Sequence, residues 1–193
     1  MNTGKSKFFW LGNSLAIDFV NTDIVVDGER VDLLPRPESI FDWLHEAGFM
    51  SAKSATLSGG ARSRALRIAL SYRALLRAGL AARVDGKVLP PQLVPRTNAY
   101  LTRRESATRL VEDGTSFRLA TDVRFATEES LMVPVAQSLA KLLVEGELVR
   151  LRKCKNPECV LYFYDTSKSG TRTWCSLDMC GNKLRMAASR GRR

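Results

Sequence analysis

Four cysteines form the clearest chemical pattern in this sequence. They make two pairs, Cys154 with Cys159 and Cys175 with Cys180, with four residues inside each pair and fifteen between the pairs. Zn²⁺ prefers a tetrahedron of four ligands and binds thiolate strongly, so the two pairs together can complete its coordination shell. The spacing therefore predicts one structural zinc ion held by all four cysteines. Unrelated buried thiols, disulfides and an iron–sulfur cluster stay open as alternatives, because spacing alone does not identify a metal.

Positive charge is concentrated in the same part of the chain. Residues 148–193 contain eleven basic and three acidic side chains, and so carry +8 of the total charge of +10. A segment this basic is typical of a surface that meets phosphates, and a solubilising tail is the alternative. The change in charge predicts a domain boundary near Gly146, between residues 1–147 and a zinc module of residues 148–193. The candidate nucleic-acid contacts are Lys155, Arg172, Lys183, Arg185, Arg190, Arg192 and Arg193.

The sequence offers little for catalysis. Its one histidine, His45, lies in an amphipathic segment beside Trp43, and no spacing pairs it with a nucleophile. A zinc ion with four cysteine ligands has no open position for water or substrate. We therefore expect that the protein is not an enzyme. Because no apolar run approaches the roughly 18 residues of a membrane-spanning helix and no signal peptide is evident, we also expect a cytoplasmic protein without a membrane partner.

The zinc module needs elements that bring its two cysteine pairs together. The stretch VLYFYDT at 160–166 alternates its faces as a strand does, and SKSG at 167–170 suits a turn. The stretch TRTWC at 171–175 is then expected to return as a second strand. A helix with basic flanks should follow, and together these elements would make a treble-clef-like zinc finger. The apolar stripe of that helix is expected to consist of Leu177, Cys180, Leu184, Ala187 and Ala188.

The N-terminal domain is expected to be mostly helical. Apolar residues at helical spacing predict helices over residues 61–83 and 131–145, with shorter helices near 40–44 and over 93–103. The pair Asp113-Gly114 lies between two β-prone runs and predicts a hairpin. The fold class is therefore α+β, with a mostly helical N-terminal domain that contains a short β-hairpin and a small C-terminal finger.

Two parts of the chain resemble known families. The stretch RKCKNPECVLYFYDTSKSGTRTWCSLDMCGNK, residues 152–183, resembles the CGNR-type zinc finger of bacterial proteins, and its four cysteines match the metal ligands of that family. Lys183 stands where the family has arginine, and lysine lacks the planar fork that binds phosphate in bidentate fashion. The stretches LGNSLAIDFVNT, residues 11–22, and VDLLPRPESIFDWL, residues 31–44, resemble the ABATE-type domain that precedes this finger.

The resemblance implies a stress-induced transcriptional regulator, with a helical domain that binds a small ligand and a zinc finger that binds DNA. Asp18 and Asn21 of the first motif are candidate ligand contacts, although such residues more often cap a helix or order a turn. A single finger covers few base pairs, so a homodimer formed through the helical body is expected. The alternatives are an RNA-binding protein and a protein-interaction module whose zinc finger is purely structural.

Overall fold

The computed structural model describes residues 6–26, 28–50 and 57–182. Its α-helices are Leu15–Val20 (α1), Ser39–Glu46 (α2), Gly59–Val84 (α3), Leu93–Leu101 (α4) and Val133–Glu145 (α5). Its strands are Asp23–Val26 (β1), Glu29–Asp32 (β2), Glu105–Asp113 (β3), Ser116–Arg124 (β4), Leu151–Lys153 (β5) and Tyr162–Tyr164 (β6). The strands form three antiparallel pairs, β1 with β2, β3 with β4 and β5 with β6. Two 3₁₀ turns, Glu129–Met132 and Leu148–Arg150, and a π-helical turn, Leu177–Gly181, complete the described elements.

The long helix α3 forms the centre of the main core. It packs on α1, α2 and α4, while α5 packs on α1 and α4. Ala65, Ala69, Tyr72 and Leu76 are all buried and follow one another at steps of three or four residues, which places them on one helix face. The expected helices are therefore confirmed, and Pro134 lies in the first turn of α5, where its missing N–H costs no hydrogen bond.

The expected hairpin at Asp113-Gly114 is also confirmed. The turn joins β3 to β4 with Asp113 opposite Ser116, and Gly114 has a φ of +63°, which a residue without Cβ adopts without strain. The structure adds a second hairpin, β1 with β2, that the sequence reading did not predict. Among the described residues, no helix has both the length and the apolar content needed to cross a membrane.

The C-terminal module differs from the expected hairpin. Strand β6 pairs with β5, which precedes the first cysteine, and residues 171–175 form no strand, so the predicted return strand is wrong. The physical reason is Asp165, which is fully buried. Its carboxylate accepts the backbone N–H of Arg172 at 2.8 Å and that of Ser167 at 2.9 Å, so a side chain replaces the partner strand. The turn at 167–170 is present, closed by a hydrogen bond from the Gly170 N–H to the Ser167 carbonyl.

Candidate metal centre

The four cysteines converge on one point, with their sulfur atoms within 4.8 Å of one another. The sulfur of Cys175 lies 3.8 Å from that of Cys159 and 3.6 Å from that of Cys180, and none of the four cysteines forms a disulfide. A tetrahedral site with zinc–sulfur bonds of about 2.3 Å has sulfur–sulfur edges of about 3.8 Å. The cluster therefore has the size and the donor chemistry of a site for one metal ion, and zinc fits it.

The first cysteine pair is held by backbone hydrogen bonds and by one side chain. The Cys154 N–H donates to the Leu161 carbonyl at 2.9 Å, and the Cys159 N–H donates to the Asn156 carbonyl at 2.9 Å. Asn156 is buried, and its Nδ2 lies 3.4 Å from the sulfur of Cys180 while its Oδ1 accepts the Glu158 N–H. This asparagine thus closes the turn between the first two cysteines and donates toward a sulfur of the second pair. These contacts give a physical reason for an asparagine at this position between the two cysteines.

The second cysteine pair is held by a short helical turn. The Ser176 carbonyl accepts the N–H groups of Cys180 and Gly181 at 3.1 Å each, and the Ser176 hydroxyl accepts the Met179 N–H at 3.4 Å. A Cβ on Gly181 would lie only 3.1 Å from both Trp174 and Leu177. The Ser176 hydroxyl therefore caps this turn, and a side chain at position 181 would force Trp174 or Leu177 to move by a few tenths of an ångström.

Without a cation, three of the thiols compete for one negative charge. Hydrogen bonds from the Cys159 and Cys175 thiols lower the pKa of Cys154 to about 2. Contacts with the Cys154 thiol raise the pKa of Cys159 to about 12, and the same kind of contact, together with burial, raises the pKa of Cys175. The cluster alone thus favours a thiolate at Cys154 beside protonated Cys159 and Cys175. A divalent cation would allow all four to ionise, so metal affinity must depend on pH.

The predicted nucleic-acid contacts divide into three groups. Lys155 is exposed in the turn between Cys154 and Cys159, the first knuckle. Arg172 is only partly exposed, because its guanidinium donates to the carbonyls of Trp174, Leu11 and Cys175 and lies 4.3 Å from the centre of the Phe163 ring. These contacts place Arg172 in the packing between the finger and the N-terminal segment. The remaining predicted contacts, Lys183, Arg185, Arg190, Arg192 and Arg193, lie outside the described residues, as does most of the expected basic helix.

A groove of about 580 Å³ runs beside the turn of Cys175 and Cys180, the second knuckle, and apolar and hydroxyl-bearing side chains both line it. Arg172, Trp174 and Leu177 form parts of its wall, and Lys168 is exposed on the turn that borders it. Hydroxyl groups are the most frequent polar groups along the groove, and they belong to Ser167, Ser169, Thr171, Thr173 and Ser176.

The first N-terminal motif docks on the free edge of β6. The Asn21 side chain, which is 1% exposed, donates to the Tyr162 carbonyl at 2.8 Å and accepts the Tyr162 N–H at 3.0 Å. The Gly12 carbonyl accepts the Tyr164 N–H at 2.8 Å, and Asn13 Nδ2 donates to the Tyr164 carbonyl at 2.9 Å. The side chains and backbone of this motif therefore occupy the edge of β6 at which a third strand would pair, and they join the N-terminal domain to the finger.

Asp18 orders the turn that precedes α1. It is buried, and its Oδ1 accepts the Gly12 N–H at 2.7 Å. A Cβ on Gly12 would lie 2.7 Å from Ile17 and 2.9 Å from the Asp18 carboxylate, so only glycine fits this approach. Burial raises the pKa of Asp18 to about 6, against the hydrogen bond from Gly12 and the attraction of Arg172. The polar groups of Asp18 and Asn21 thus bind the protein's own backbone, and a role in binding a small ligand stays a prediction.

Sequence reasoning missed two cations of α3, the partly buried Arg77, which connects the N-terminal domain to the finger, and the buried Arg73. Arg77 donates to the carbonyls of Val20 and Asp23 at 2.7 and 2.8 Å, and to that of Val160 at 3.2 Å. Arg73 donates to both carboxylate oxygens of Asp32, within the N-terminal domain. The available signal was their position, because both arginines fall beside the apolar face of α3, where an unpaired charge would be costly.

The family comparisons agree with this arrangement. The model of the ABATE family, described as "putative stress-induced transcription regulator", matches residues 13–146, and the model of the CGNR zinc finger matches residues 150–193. No curated protein matches the chain. The first match includes Asn13, Asp18 and Asn21, and the second includes all four cysteines. The chain thus belongs to the ABATE family and carries a CGNR zinc finger after its ABATE domain.

Proposed function

We propose that this protein is a regulator that binds DNA through the outer surface of its zinc finger. In this proposal a single zinc ion orders the finger, and the protein is not an enzyme. Four protein thiolates fill the coordination shell of zinc, so the ion has no open position for substrate or water. The metal would therefore contribute to folding and to the shape of the surface.

The hydroxyl-lined groove beside the second knuckle is the observation that carries the proposal. Arginine and lysine side chains, hydroxyl groups and backbone N–H groups make most of the contacts that proteins form with DNA phosphates. The groove provides the hydroxyls, and Lys155 and Lys168 are exposed on the same module. The excess of basic residues over 148–193 gives this module a field that attracts a polyanion. Contacts of this kind supply affinity and orientation, while sequence preference needs further contacts with base edges.

Binding of duplex DNA over a series of salt concentrations tests this proposal. We expect the zinc-loaded protein to bind a fluorescently labelled duplex with an affinity that falls steeply as salt rises, because phosphate contacts release counterions. The double variant Lys155→Glu/Lys168→Glu should bind more weakly and reduce the slope of log K against log salt by about 2. The matched control is Arg96→Glu/Arg103→Glu, which makes the same charge change at exposed positions on and just after α4.

The outcomes separate the proposal from its alternatives. Equal losses in the finger variant and in the control would show attraction by net charge alone, and would reject the finger as the DNA-binding surface. Tighter binding to single-stranded RNA than to duplex DNA would instead favour an RNA-binding role. No binding at low salt would leave the finger as a structural or protein-binding module.

A further inference from the structure

The hairpin of β3 and β4, residues 105–124, forms an arm that packs chiefly on itself. Its strands have nine residues each and make at most marginal contact with the other described elements. An isolated two-stranded hairpin is only marginally stable in water. Two large apolar side chains of the arm are exposed as well, Leu110 by 66% and Phe117 by 65%. These features indicate that the arm has a partner in solution.

The edge of β4 is open for pairing. The two-residue turn closes with Asp113 opposite Ser116, and the hydrogen-bonded pairs then alternate along the hairpin. The backbone groups of every second residue of β4, beginning at Ser116, therefore face β3. The backbone groups of the intervening residues face away from β3, and these residues are Phe117, Leu119, Thr121 and Val123. The arm strands contain no lysine, no proline and no glycine, and their register is unbroken by a bulge, so several of the devices that protect an edge strand are missing.

We propose that two copies of this chain pair through their β4 strands, antiparallel about a two-fold axis at Ala120. In this full-length register all four outward-facing residues find a partner, with Phe117 opposite Val123 and Leu119 opposite Thr121. Arg118 of each copy then lies opposite Asp122 of the other, which gives two symmetry-related pairs of opposite charge. A shift that moves the axis to Thr121 would place Arg118 opposite Arg124. A shift to Leu119 would place Arg118 opposite Ala120, so of these three registers only the one with its axis at Ala120 pairs opposite charges.

The same reasoning excludes self-pairing through β3. In its full-length antiparallel register, Arg109 would lie opposite Arg109 of the second copy, and Glu105 would lie opposite Asp113. Like charges at opposite positions destabilise a sheet. The β4 edge is therefore the self-complementary one.

The charge of the arm also argues for a second copy and against a nucleic acid. The arm contains three basic and four acidic residues, whereas the whole chain has a net charge of +10. A nearly neutral strand neither attracts phosphates nor repels its own copy across a two-fold axis. This inference does not rest on DNA binding by the finger, although a dimer would present two fingers to one duplex.

Sedimentation velocity of the full-length, zinc-loaded protein tests the inference. We expect a reversible dimer in the parent at tens of micromolar. The single variants Arg118→Asp and Asp122→Arg should each weaken self-association about tenfold, because two symmetry-related attractions become repulsions. The combined variant Arg118→Asp/Asp122→Arg should restore the dimer, which also shows that the single variants lost pairing and not folding. Glu112→Arg, on the opposite strand of the same arm, is the matched control and should leave the dimer unchanged.

A backbone test complements the charge exchange. Leu119→Pro removes an outward-facing N–H without removing a hydrogen bond between β3 and β4, so it should abolish the dimer while the circular dichroism spectrum is retained. A parent that is monomeric up to several hundred micromolar would overturn the inference. So would a dimer that persists in Arg118→Asp or in Leu119→Pro, or a charge exchange that fails to restore association.

Discussion

The contact between Asn21 and Tyr162 yields the sharpest stability prediction. Asn21→Ala would remove a side chain that donates to the Tyr162 carbonyl and accepts the Tyr162 N–H, at a position where both residues are buried. Each buried backbone group left without a partner costs about 1 to 3 kcal/mol, so the loss of two partners should lower the free energy of unfolding by about 2 to 6 kcal/mol. That is a large share of the roughly 5 to 15 kcal/mol that stabilises a typical domain.

Urea unfolding of the zinc-loaded protein, followed by circular dichroism, measures this loss. The matched control is Asn98→Ala, which makes the same substitution at an exposed position in α4 and should change stability by less than about 0.5 kcal/mol. The Asn21 variant should also bind zinc more weakly in a competition assay, because residues on either side of Tyr162 pack on the cysteine cluster. If Asn21→Ala and Asn98→Ala lose equally little stability, the docking of the motif on β6 is refuted.

Two further predictions concern Asp18 and the metal ligands. Because the pKa of Asp18 is raised to about 6, the folded protein holds this proton more tightly than the unfolded chain, and stability is lost as pH rises from about 4 to 6. Asp18→Asn keeps an acceptor for the Gly12 N–H without the buried charge. Its free energy of unfolding, measured with urea, should exceed that of the parent by up to about 3 kcal/mol at pH 7 and should match it near pH 4. An advantage that does not change with pH would contradict the titration of Asp18 as its cause. Cys175→Ser removes a fully buried candidate ligand, so the variant should lose most of its zinc on dialysis. Elemental analysis after dialysis should find about one zinc per chain in the parent. Retention of zinc by the variant would show that three cysteines suffice.

Local signals in the sequence predict much of the fold. The 3.6-residue period of α3 and the Asp113-Gly114 turn both depend on residues within one element, and both are confirmed. The β1–β2 hairpin has a comparable local signal, the Asp27-Gly28 pair between β-prone runs, with Gly28 at a φ of +86°. That hairpin was therefore predictable from the sequence, although it was not predicted.

The candidate site combines contacts that the local sequence predicts with contacts between distant parts of the chain, which it does not predict. The paired spacing of the cysteines predicts the convergence of their sulfurs, because each pair lies within one short turn. The strand partner of β6 was predicted wrongly, because the buried carboxylate of Asp165 accepts N–H groups that a second strand would otherwise take. The role of Asn21 depends on Tyr162, which lies 141 residues further along the chain. No local pattern can show such a contact.

Strand β6 explains why the ABATE domain and the zinc finger behave as parts of one structure. Its side chains alternate, so Tyr162 packs in the main core while Phe163 packs in the cysteine cluster. Its backbone is divided in the same way, because Tyr162 and Tyr164 bond to the N-terminal motif and Phe163 faces β5. A metal ion at the four cysteines would order the two cysteine turns next to this strand, and the N-terminal motif fixes its other edge. The free energy of metal binding must therefore stabilise the N-terminal domain as well, and a change in that domain must alter the affinity of the finger for its metal.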